Sequence, residues 1–332
     1  MGKTSILEAI YYLCMGKSHA AVMDTQLTKD GEVFFRLDSH WTDGDLRNQV
    51  VFKVPLKKKK VLEINGTALS RLADHIGNYP VVIITPEETQ LATEGSEVRR
   101  KYIDSTLSQV DSLYLRNLIA YNKVLDQRNA LLKQSSNRQD LNTLLDIYDQ
   151  QLVQFGSAIL RERVQFLQIL ADLFQPIYQG ISGKAETAGF TYQTKLFEQD
   201  YRSLLLASRP KDLLLQRTNV GIHKDDLLFE INGRPVKKFA SQGQLKSFVL
   251  AMKIAQFDYL FSQKGTTPIL LLDDIFDRLD QERVQYLMQA MYGYANAQIF
   301  ITDTDATRIE KLLAPLGIAY KHFVVEQGKV GY

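Results

Sequence analysis

Apolar and polar residues follow several different periods along the first ninety positions. Near the start, Ile6, Ile10 and Leu13 recur at the spacing of one helix face, which predicts a helix. Three stretches then alternate as strands do: EVFFRLDSHW, RNQVVFKVPL and KVLEINGTAL. The last two form a predicted hairpin with a lysine-rich tip, followed by a second turn at Asn65-Gly66. The run YPVVIITPEE predicts a buried strand of a parallel sheet that leads into a functional loop.

A long helical segment comes next. From Ser96 to about Ile181 the chain contains one proline and little glycine. Leucines and tyrosines recur there at mixed three- and four-residue intervals, on both sides of the polar stretch KQSSNRQD. This pattern predicts an antiparallel pair of long helices, a coiled-coil-like arm inserted into the chain. Simple core packing is the alternative explanation for any single leucine of the pattern.

The remainder of the chain returns to alternating strands and helices. Predicted strands are DLLFEIN, PILLLDD, AQIFITD and HFVVEQ, and predicted helices run from Gln244 to about Phe261 and from Gln281 to Tyr292. The pattern as a whole predicts an α/β fold interrupted by a helical insertion. We assign residues 1–95 and 210–332 to the α/β lobe and residues 96–209 to the inserted helical lobe.

Composition limits the function classes that remain open. The 332 residues suffice for one large core or two domains, and 45% hydrophobic with 23% charged residues is usual for a globular protein. The net charge is only +2, so any basic surface must come from local clustering. The single cysteine, Cys14, excludes an intrachain disulfide and a cysteine-based metal site. Because no apolar run approaches the roughly 18 residues of a membrane helix and no signal peptide is evident, we expect a cytoplasmic protein without membrane contact.

The first candidate chemistry lies at the N-terminus. Gly2, Lys3 and Thr4, followed by Ser5, match the last letters of G-x-x-x-x-G-K-[ST], the phosphate-binding P-loop. The first glycine of that motif would precede Met1. We therefore expect that Met1 is an internal codon and that a first strand and most of the loop are missing. A loop with fewer backbone N–H groups would bind ATP weakly.

Two acidic residues end one of the predicted buried strands. Asp273 and Asp274 directly follow four apolar residues, so the strand would place two carboxylates at the carboxyl edge of a sheet, where α/β proteins bind ligands. In P-loop ATPases the first such acid binds Mg²⁺, and the next positions the attacking water. A solvated strand end would show the same pattern, so this feature does not decide the function alone.

A helix start upstream supplies a further feature. Ser241, Gly243 and Gln244 stand at the beginning of an amphipathic helix, and serine is a good N-cap residue. The free N–H groups of a helix N-terminus bind phosphate readily, and a glycine permits close approach of the backbone. An ordinary capped helix is the alternative. The order of the features along the chain, ending with Leu279-Asp280, argues against coincidence.

This order of motifs resembles the ABC-type P-loop ATPase heads of chromosome and repair proteins, which are related to SMC proteins, and among them the RecF family. The resemblance covers essentially the whole chain. Its supporting stretches are GKTSILEAIYYL, TPEETQLATEGSEVRRKYID, GIHKDDLLFEING, SQGQLKSFVLAMKIAQ and LLLDDIFDRLD. The most family-specific part is the run R-R-x-[FY]-[LIVM]-D at residues 99–104. The resemblance implies an ABC-type ATPase lobe with an inserted coiled-coil-like lobe.

The resemblance also implies roles for individual residues at an ATP and Mg²⁺ site. Lys3 would contact the β- and γ-phosphates, with Gly2 and Ser5 beside it, and Thr4 would bind the metal. Asp273 would be the second metal residue. Asp274 would orient the hydrolytic water, and its side chain, shorter than the glutamate of transporter heads, is consistent with slow turnover.

Other residues would act across a dimer. Ser241, Gly243 and Gln244 would form the signature loop, which in this superfamily acts on ATP held by a second subunit. Asp280 would be the D-loop acid at the same seam. The resemblance therefore implies an ATP-dependent homodimer.

At the level of function, the resemblance implies an ATP-dependent DNA-binding mediator of DNA repair and recombination, connected with replication and the SOS response. Such proteins act at gapped or single-strand/double-strand junction DNA together with RecO-like and RecR-like proteins. Two other functions stay open: an ABC-type head of the phage-defence class, and a non-enzymatic DNA- or protein-binding scaffold.

Candidate DNA contacts are basic clusters, which would contact phosphates with little reading of bases. They are Lys57, Lys58, Lys59 and Lys60 at the hairpin tip, and Arg99 and Arg100. Solvated lysines at a hairpin tip are the alternative.

Three positions depart from the family pattern. The nearest glutamine to the expected Q-loop is Gln90, which we do not assign as a sensor. Asp303 or Thr304 stands where a transporter head has its switch histidine. Gly-Ile-His, ending at His223, replaces an expected Gly-Pro-His. We expect a structural role for His223, with a DNA or nucleotide role as the alternative.

Overall fold

The structure, a computed structural model of the chain, describes residues 2–20, 22–134, 140–183, 186–275, 281–294, 297–314, 317 and 319–331. The chain divides into two compact units, one of Met1–Pro86 with Lys264–Tyr332 and one of Glu87–Gln263. The lobe boundaries expected at residues 95 and 209 stay a prediction. Compactness alone groups residues 87–95 and 210–263 with the helical unit.

The first unit is of α/β type. Its helices are α1 (Lys3–Met15), α2 (Asp24–Leu27), α10 (Gln281–Tyr292) and α11 (Ala306–Leu313). Its strands are β1 (Phe34–Asp43), β2 (Leu46–Pro55), β3 (Val61–Ile64), β4 (Thr67–Ala68), β5 (Val81–Ile84), β9 (Ile269–Asp273), β10 (Ile299–Thr302), β11 (Val324–Glu326) and β12 (Lys329–Gly331). Helices α3 to α9 and strands β6 to β8 belong to the second unit.

This unit contains two larger sheets and the antiparallel pair of β11 and β12. Strands β1 to β4 form an antiparallel sheet in chain order, and β9 lies between β5 and β10 in a parallel sheet. The predicted buried strand is confirmed as β5, and the predicted hairpins are confirmed by the pairing of β2, β3 and β4. At the second turn Asn65 and Gly66 have φ values of 51° and 79°, the positive values that a two-residue hairpin turn favours.

Helix α1 packs between the two sheets and builds the core of the first unit. The spacing predicted the helix, but Ile6 is exposed and the buried face starts one residue later, at Leu7. One set of side chains contacts the parallel sheet: Leu7, Tyr11 and Cys14 with Val81, Ile83 and Leu271. Another contacts the antiparallel sheet: Tyr12 and Leu13 with Val50, Phe52 and Leu62. Packing of α1 from Leu7 to Met15 against both sheets therefore positions the helix.

The second unit is built on long helices. Its helices are α3 (Gln90–Thr93), α4 (Ser96–Val110), α5 (Ser112–Lys133), α6 (Leu141–Ser182), α7 (Tyr201–Leu215), α8 (Val236–Phe239) and α9 (Gln242–Lys264). Its strands β6 (Ala188–Gln193), β7 (Asp226–Ile231) and β8 (Arg234–Pro235) form an antiparallel sheet. Among the described residues, no helix is both long enough and apolar enough to cross a membrane.

The predicted antiparallel helix pair is confirmed by α5 and α6. Contacts run in opposite directions along the two helices: Arg128 pairs with Asp149, whereas Tyr114, earlier in α5, bonds Arg163, later in α6. The segment before this pair forms a separate helix, α4, which the pattern did not separate from α5. The break falls at Asp111, whose carboxylate accepts a hydrogen bond of 2.7 Å from the N–H of Leu113 and so caps α5.

Candidate nucleotide site and signature loop

The side chain of Asp273 connects the start of α1 with the ends of two strands. Its Oδ1 accepts hydrogen bonds from Oγ1 of Thr4 at 3.1 Å and from Oγ1 of Thr302 at 2.6 Å. Asp273 is only 6% exposed. The structure therefore brings together two residues, Thr4 and Asp273, that are 269 positions apart and that the sequence analysis placed at one metal site.

The local fold explains this meeting. Residues 269–272 of β9 are apolar and buried between β5 and β10, so the strand is fixed in register up to its carboxyl end at Asp273. Helix α1 begins at the same edge, and its N-terminus has a partial positive charge. Gly2 precedes it with φ 114°, a conformation that side chains other than glycine rarely adopt. A Cβ there would also lie 3.4 Å from Cα of Gly328.

Lys3 reaches the end of the neighbouring strand. Its Nζ donates a 2.5 Å hydrogen bond to the backbone carbonyl of Asp303, the residue after β10. The Asp303 carboxylate accepts a bond of 2.6 Å from the N–H of Asp305 through Oδ1. Its Oδ2 is buried, has no hydrogen-bond partner among the described residues, and lies 3.6 Å from Nη1 of Arg308. The switch-position candidate Asp303 thus lies at the same edge as Lys3.

Asp274 has an unusual backbone and an unsatisfied oxygen. Its φ is 47°, and its N–H donates to both the carbonyl and the Oγ1 of Thr302, each at 3.2 Å. Its Oδ1 is buried and has no hydrogen-bond partner within the part of the chain that the structure describes. Burying a carboxylate oxygen without a donor is costly, so this edge is suited to a group that supplies positive charge or donors.

The signature residues form a closed helix cap. The N–H of Ser241 donates to Oε1 of Gln244 at 2.8 Å, and the N–H of Gln244 donates to Oγ of Ser241 at 3.2 Å. This reciprocal pair is a capping box, and it fixes the first turn of α9. Ser241 is exposed and Gly243 is half-buried, so this helix start is accessible to a partner molecule.

The chain has close relatives of known family, although no family model matches it. The DNA replication and repair protein RecF of Flavobacterium johnsoniae is 45% identical over 324 residues, covering 97% of this chain and 90% of that protein. The protein of the same name from Cytophaga hutchinsonii is 37% identical over 333 residues, covering 99% and 87%. The chain belongs to the RecF family.

Solved structures agree with this RecF-family assignment. A structure of the recombination mediator protein RecF-ATP in the RecFOR pathway matches with a TM-score of 0.83 and 29% identity, covering 92% of this chain and 84% of that one. The Smc head domain of Pyrococcus furiosus matches with a TM-score of 0.50 and 15% identity, covering 94% and 82%, and this likeness shows the fold alone. The predicted ABC-type ATPase fold with a helical insertion is confirmed.

Several of the basic residues predicted to contact DNA form hydrogen bonds within this RecF-family chain instead. Arg99 is buried, pairs with Asp226 at 2.6 Å and donates to two backbone carbonyls. Arg100 donates to the carbonyl of Asp225 at 2.7 Å. Lys60 binds Asp24, Tyr12 and the carbonyl of Gly16, at 2.8–2.9 Å.

By contrast, Lys57, Lys58 and Lys59 are exposed at the tip between β2 and β3. DNA contact by any of these basic residues stays a prediction. Because the other three have internal partners, it rests on the three exposed lysines.

The remaining residues that the sequence marks as candidates lie in different parts of the chain. Ser5 is exposed in the first turn of α1, Gln90 begins α3, and Asp280 lies outside the described residues. His223 is half-buried in the helical unit, where its Nδ1 lies 2.8 Å from the hydroxyl of Tyr121 and desolvation lowers its pKa to about 4. A neutral, hydrogen-bonded ring fits the expected structural role.

One residue at this strand edge, Thr302, is not predicted as part of the site by the sequence. Thr302 anchors both Asp273 and Asp274 through its hydroxyl. The sequence predicts Asp303 only for the switch position, whereas in the structure its backbone carbonyl accepts a hydrogen bond from Lys3. The available signal was the apolar run IFIT followed by Asp303, the same strand-then-acid pattern that marked Asp273.

Proposed function

We propose that this RecF-family protein is an ATP-dependent, DNA-binding mediator of DNA repair and recombination in the cytoplasm. It acts at gapped or single-strand/double-strand junction DNA with RecO-like and RecR-like partners, and ATP binding drives its dimerisation. The observation that supports this most is the meeting of Thr4, Lys3 and Asp273 at one sheet edge, with Thr4 hydrogen-bonded to Asp273. The relatives and the RecF-ATP structure support the same assignment.

The residues at this edge suit a nucleotide with its metal. Hydroxyl and carboxylate oxygens are the ligands that Mg²⁺ prefers, so Thr4 and Asp273 would hold it. A bound magnesium–ATP complex supplies a γ-phosphate that can both leave on hydrolysis and bridge to a second protein surface. The Lys3 ammonium, now on a backbone carbonyl, provides the positive charge for phosphate. The Oδ1 of Asp274, which has no donor among the described residues, is an acceptor suited to hold a water.

The placement of Ser241 and Gly243 supports the proposed dimerisation. Ser241 caps α9 and Gly243 lies in its first turn, and the partial positive charge of this exposed helix N-terminus favours an anionic group. We assign that seat to the ATP held by Lys3 and Thr4 of a second copy of the chain. Two such contacts would make a two-fold interface that closes on ATP and loosens after hydrolysis.

Light scattering with and without Mg·ATP tests this function. With Mg·ATP at a concentration high enough to saturate even the weak binding expected from the sequence, the wild type should double its mass, and Ser241→Arg should stay monomeric because the large side chain fills the seat. Lys3→Ala should stay monomeric for a different reason, the loss of nucleotide binding, which calorimetry measures directly. If Ser241→Arg dimerises with ATP like the wild type, the serine is only a helix cap and the assignment fails.

A DNA measurement separates this function from that of an ATPase with no nucleic-acid partner. Binding of a gapped duplex should strengthen when ATP is added and weaken steeply with salt. Equal affinity with and without ATP would contradict the proposed coupling.

A further inference from the structure

A chain of hydrogen bonds joins the end of the long arm helix α6 to the start of α9. The hydroxyl of Tyr178 donates to Oε2 of Glu186 at 2.6 Å. The amide Nε2 of Gln244 donates to Oε1 of the same carboxylate, also at 2.6 Å. Through the capping box, Gln244 is bonded in turn to Ser241. All four residues belong to the helical unit.

The carboxylate of Glu186 determines which way the Gln244 amide faces. An ionised carboxylate only accepts hydrogen bonds, so the NH₂ group of Gln244 must point toward Glu186. The carbonyl end of the amide then points toward the N–H of Ser241, as the 2.8 Å contact shows. If the amide were reversed, an oxygen would face the carboxylate and an NH₂ group would face an N–H. Glu186 therefore stabilises the one orientation that closes the cap.

Glu186 itself is anchored to the sheet of the helical unit. The next residue, Thr187, donates its N–H to Oδ1 of Asn232 at 2.9 Å, and its carbonyl accepts from the N–H of Asn232 at 2.7 Å. Asn232 lies in the tight turn between β7 and β8, with φ 50°. The backbone beside Glu186 is thus bonded to a third element, while the carboxylate of its side chain is bonded to the two helices that it joins.

An apolar contact runs parallel to the polar one. The ring of Tyr178 lies 6.0 Å from that of Phe248, which follows Gln244 by one helical turn, and Phe174 lies 4.8 Å from the same ring. The last turns of α6 therefore contact α9 through Phe248 and through Glu186. Pro176 lies between Phe174 and Tyr178, and its missing N–H leaves the carbonyl of Asp172 without its usual helical donor. Helices bend most readily at such a point.

We infer that Glu186 is a positioning residue through which the end of the arm helix α6 sets the geometry of the signature loop. A displacement of the last turns of α6 moves Tyr178, and the carboxylate and the Gln244 amide follow. The cap at Ser241 then opens or closes. This inference rests on the proposed role of Ser241 at the ATP of a second subunit. It identifies the link by which the state of the arm controls ATP-driven dimerisation.

A swap of the two partners tests the link. Gln244→Glu keeps an acceptor for Ser241, because glutamate also closes a capping box, but it places two carboxylates face to face. Adding Glu186→Gln restores the hydrogen bond between positions 186 and 244 with donor and acceptor exchanged. The new amide at position 186 can donate to the new carboxylate at position 244, and its oxygen can still accept from Tyr178. The single variant should lose the link and the double variant should regain it. Tyr178→Phe removes only the arm's hydrogen bond and keeps the ring, with Tyr192→Phe as the matched loss of a tyrosine hydroxyl elsewhere.

Two readouts are needed. Hydrogen exchange of the Ser241 and Gln244 amides, measured without nucleotide, reports the cap itself. It should accelerate about tenfold in Gln244→Glu, as expected for the loss of a charge-assisted hydrogen bond, and return toward the wild-type rate in the double variant. The concentration of protein needed for the ATP-driven dimer should rise about tenfold in Gln244→Glu and by a smaller factor in Tyr178→Phe. The double variant should recover, and Tyr192→Phe should match the wild type.

The outcomes separate the inference from the proposed function. Unchanged exchange at Ser241 in Gln244→Glu, or no recovery in the double variant, overturns the inference. So does a Gln244→Glu protein that dimerises as tightly as the wild type. A wild type that does not dimerise with ATP contradicts the proposed function instead, and the exchange rates alone then decide whether Glu186 positions the loop.

Discussion

Replacing Asp273 should separate its structural contribution from its role toward the nucleotide. Asn has the same shape and retains an oxygen that can accept from the hydroxyls of Thr4 and Thr302, whereas Ala has no acceptor. Asp273 pairs with Thr302 on the neighbouring parallel strand, and the residues that follow them, Asp274 and Asp303, are also acidic. Asn therefore also removes one negative charge from an edge that carries several. The two variants therefore differ in hydrogen bonding but not in the loss of charge.

The expected magnitudes follow from these contacts. A hydrogen bond to a charged acceptor contributes about 1.5–3 kcal/mol, and Asp273→Ala loses two, one of them from the exposed Thr4, which water can satisfy. We expect Ala to lower the free energy of unfolding by about 2–4 kcal/mol. Asn should change it by no more than about 1 kcal/mol, because weaker bonds are offset by reduced repulsion. Both variants should bind Mg·ATP at least about tenfold more weakly, since each lacks the carboxylate for the metal.

Urea unfolding without nucleotide and calorimetry with Mg·ATP measure the two effects separately. Asp305→Asn is the control, because Asp305 is an exposed N-cap at the start of α11 where Asn caps equally well. That variant should match the wild type in both assays. Mg·ATP affinity equal to the wild type in Asp273→Asn would refute the metal role. Equal destabilisation by Asn and Ala would refute the hydrogen-bond account.

Two further predictions concern charge elsewhere in the chain. Burial lowers the pKa of His223 to about 4, so only the unfolded state takes up a proton as the pH falls below the ordinary value of 6.5. The free energy of unfolding, measured with urea, should therefore fall by about 2 kcal/mol more between pH 7 and pH 5 in the wild type than in His223→Gln. Equal decreases in the two proteins would contradict the account. Replacing the exposed lysines at 57 to 59 by Gln should reduce the slope of log affinity for duplex DNA against log salt by about 0.9 per lost phosphate contact. As a control, the same change at Lys29, Lys133 and Lys329, which are also exposed, should leave the slope at its wild-type value. Equal slopes in the two triple variants would remove the hairpin tip from the DNA surface.

Local patterns predicted most of the elements because their causes are local. The apolar run before Asp273 and the positive-φ turn at Asn65-Gly66 both depend on neighbouring residues, and both are confirmed. The separation of α4 from α5 was missed, since Asp111 interrupts the helix by one side-chain cap without disturbing the apolar spacing on either side. A capping residue followed by serine was the signal for that break.

Only the site residues that belong to recognisable sequence motifs could be predicted. Lys3, Thr4 and Asp273 were placed together by their motif order, and the structure brings them to one edge. The contribution of Thr302 depends on strand register, which pairs it with Asp273 across the sheet and cannot be seen in a single sequence. The contact of Glu186 is harder to predict, because Glu186 and Gln244 are 58 positions apart and the backbone next to Glu186 is bonded to the turn between β7 and β8.

Mixing two variants that each stay monomeric tests the shared ATP site most directly. Lys3→Ala retains an intact signature loop but has no phosphate lysine, and Ser241→Arg has the opposite defect. A heterodimer of the two contains one complete site, with Lys3 from one protomer and Ser241 from the other. Light scattering with Mg·ATP should therefore show dimers in the equimolar mixture and monomers in each protein alone. Dimers in Ser241→Arg alone, or only monomers in a concentrated mixture, would contradict an ATP site completed by the second subunit.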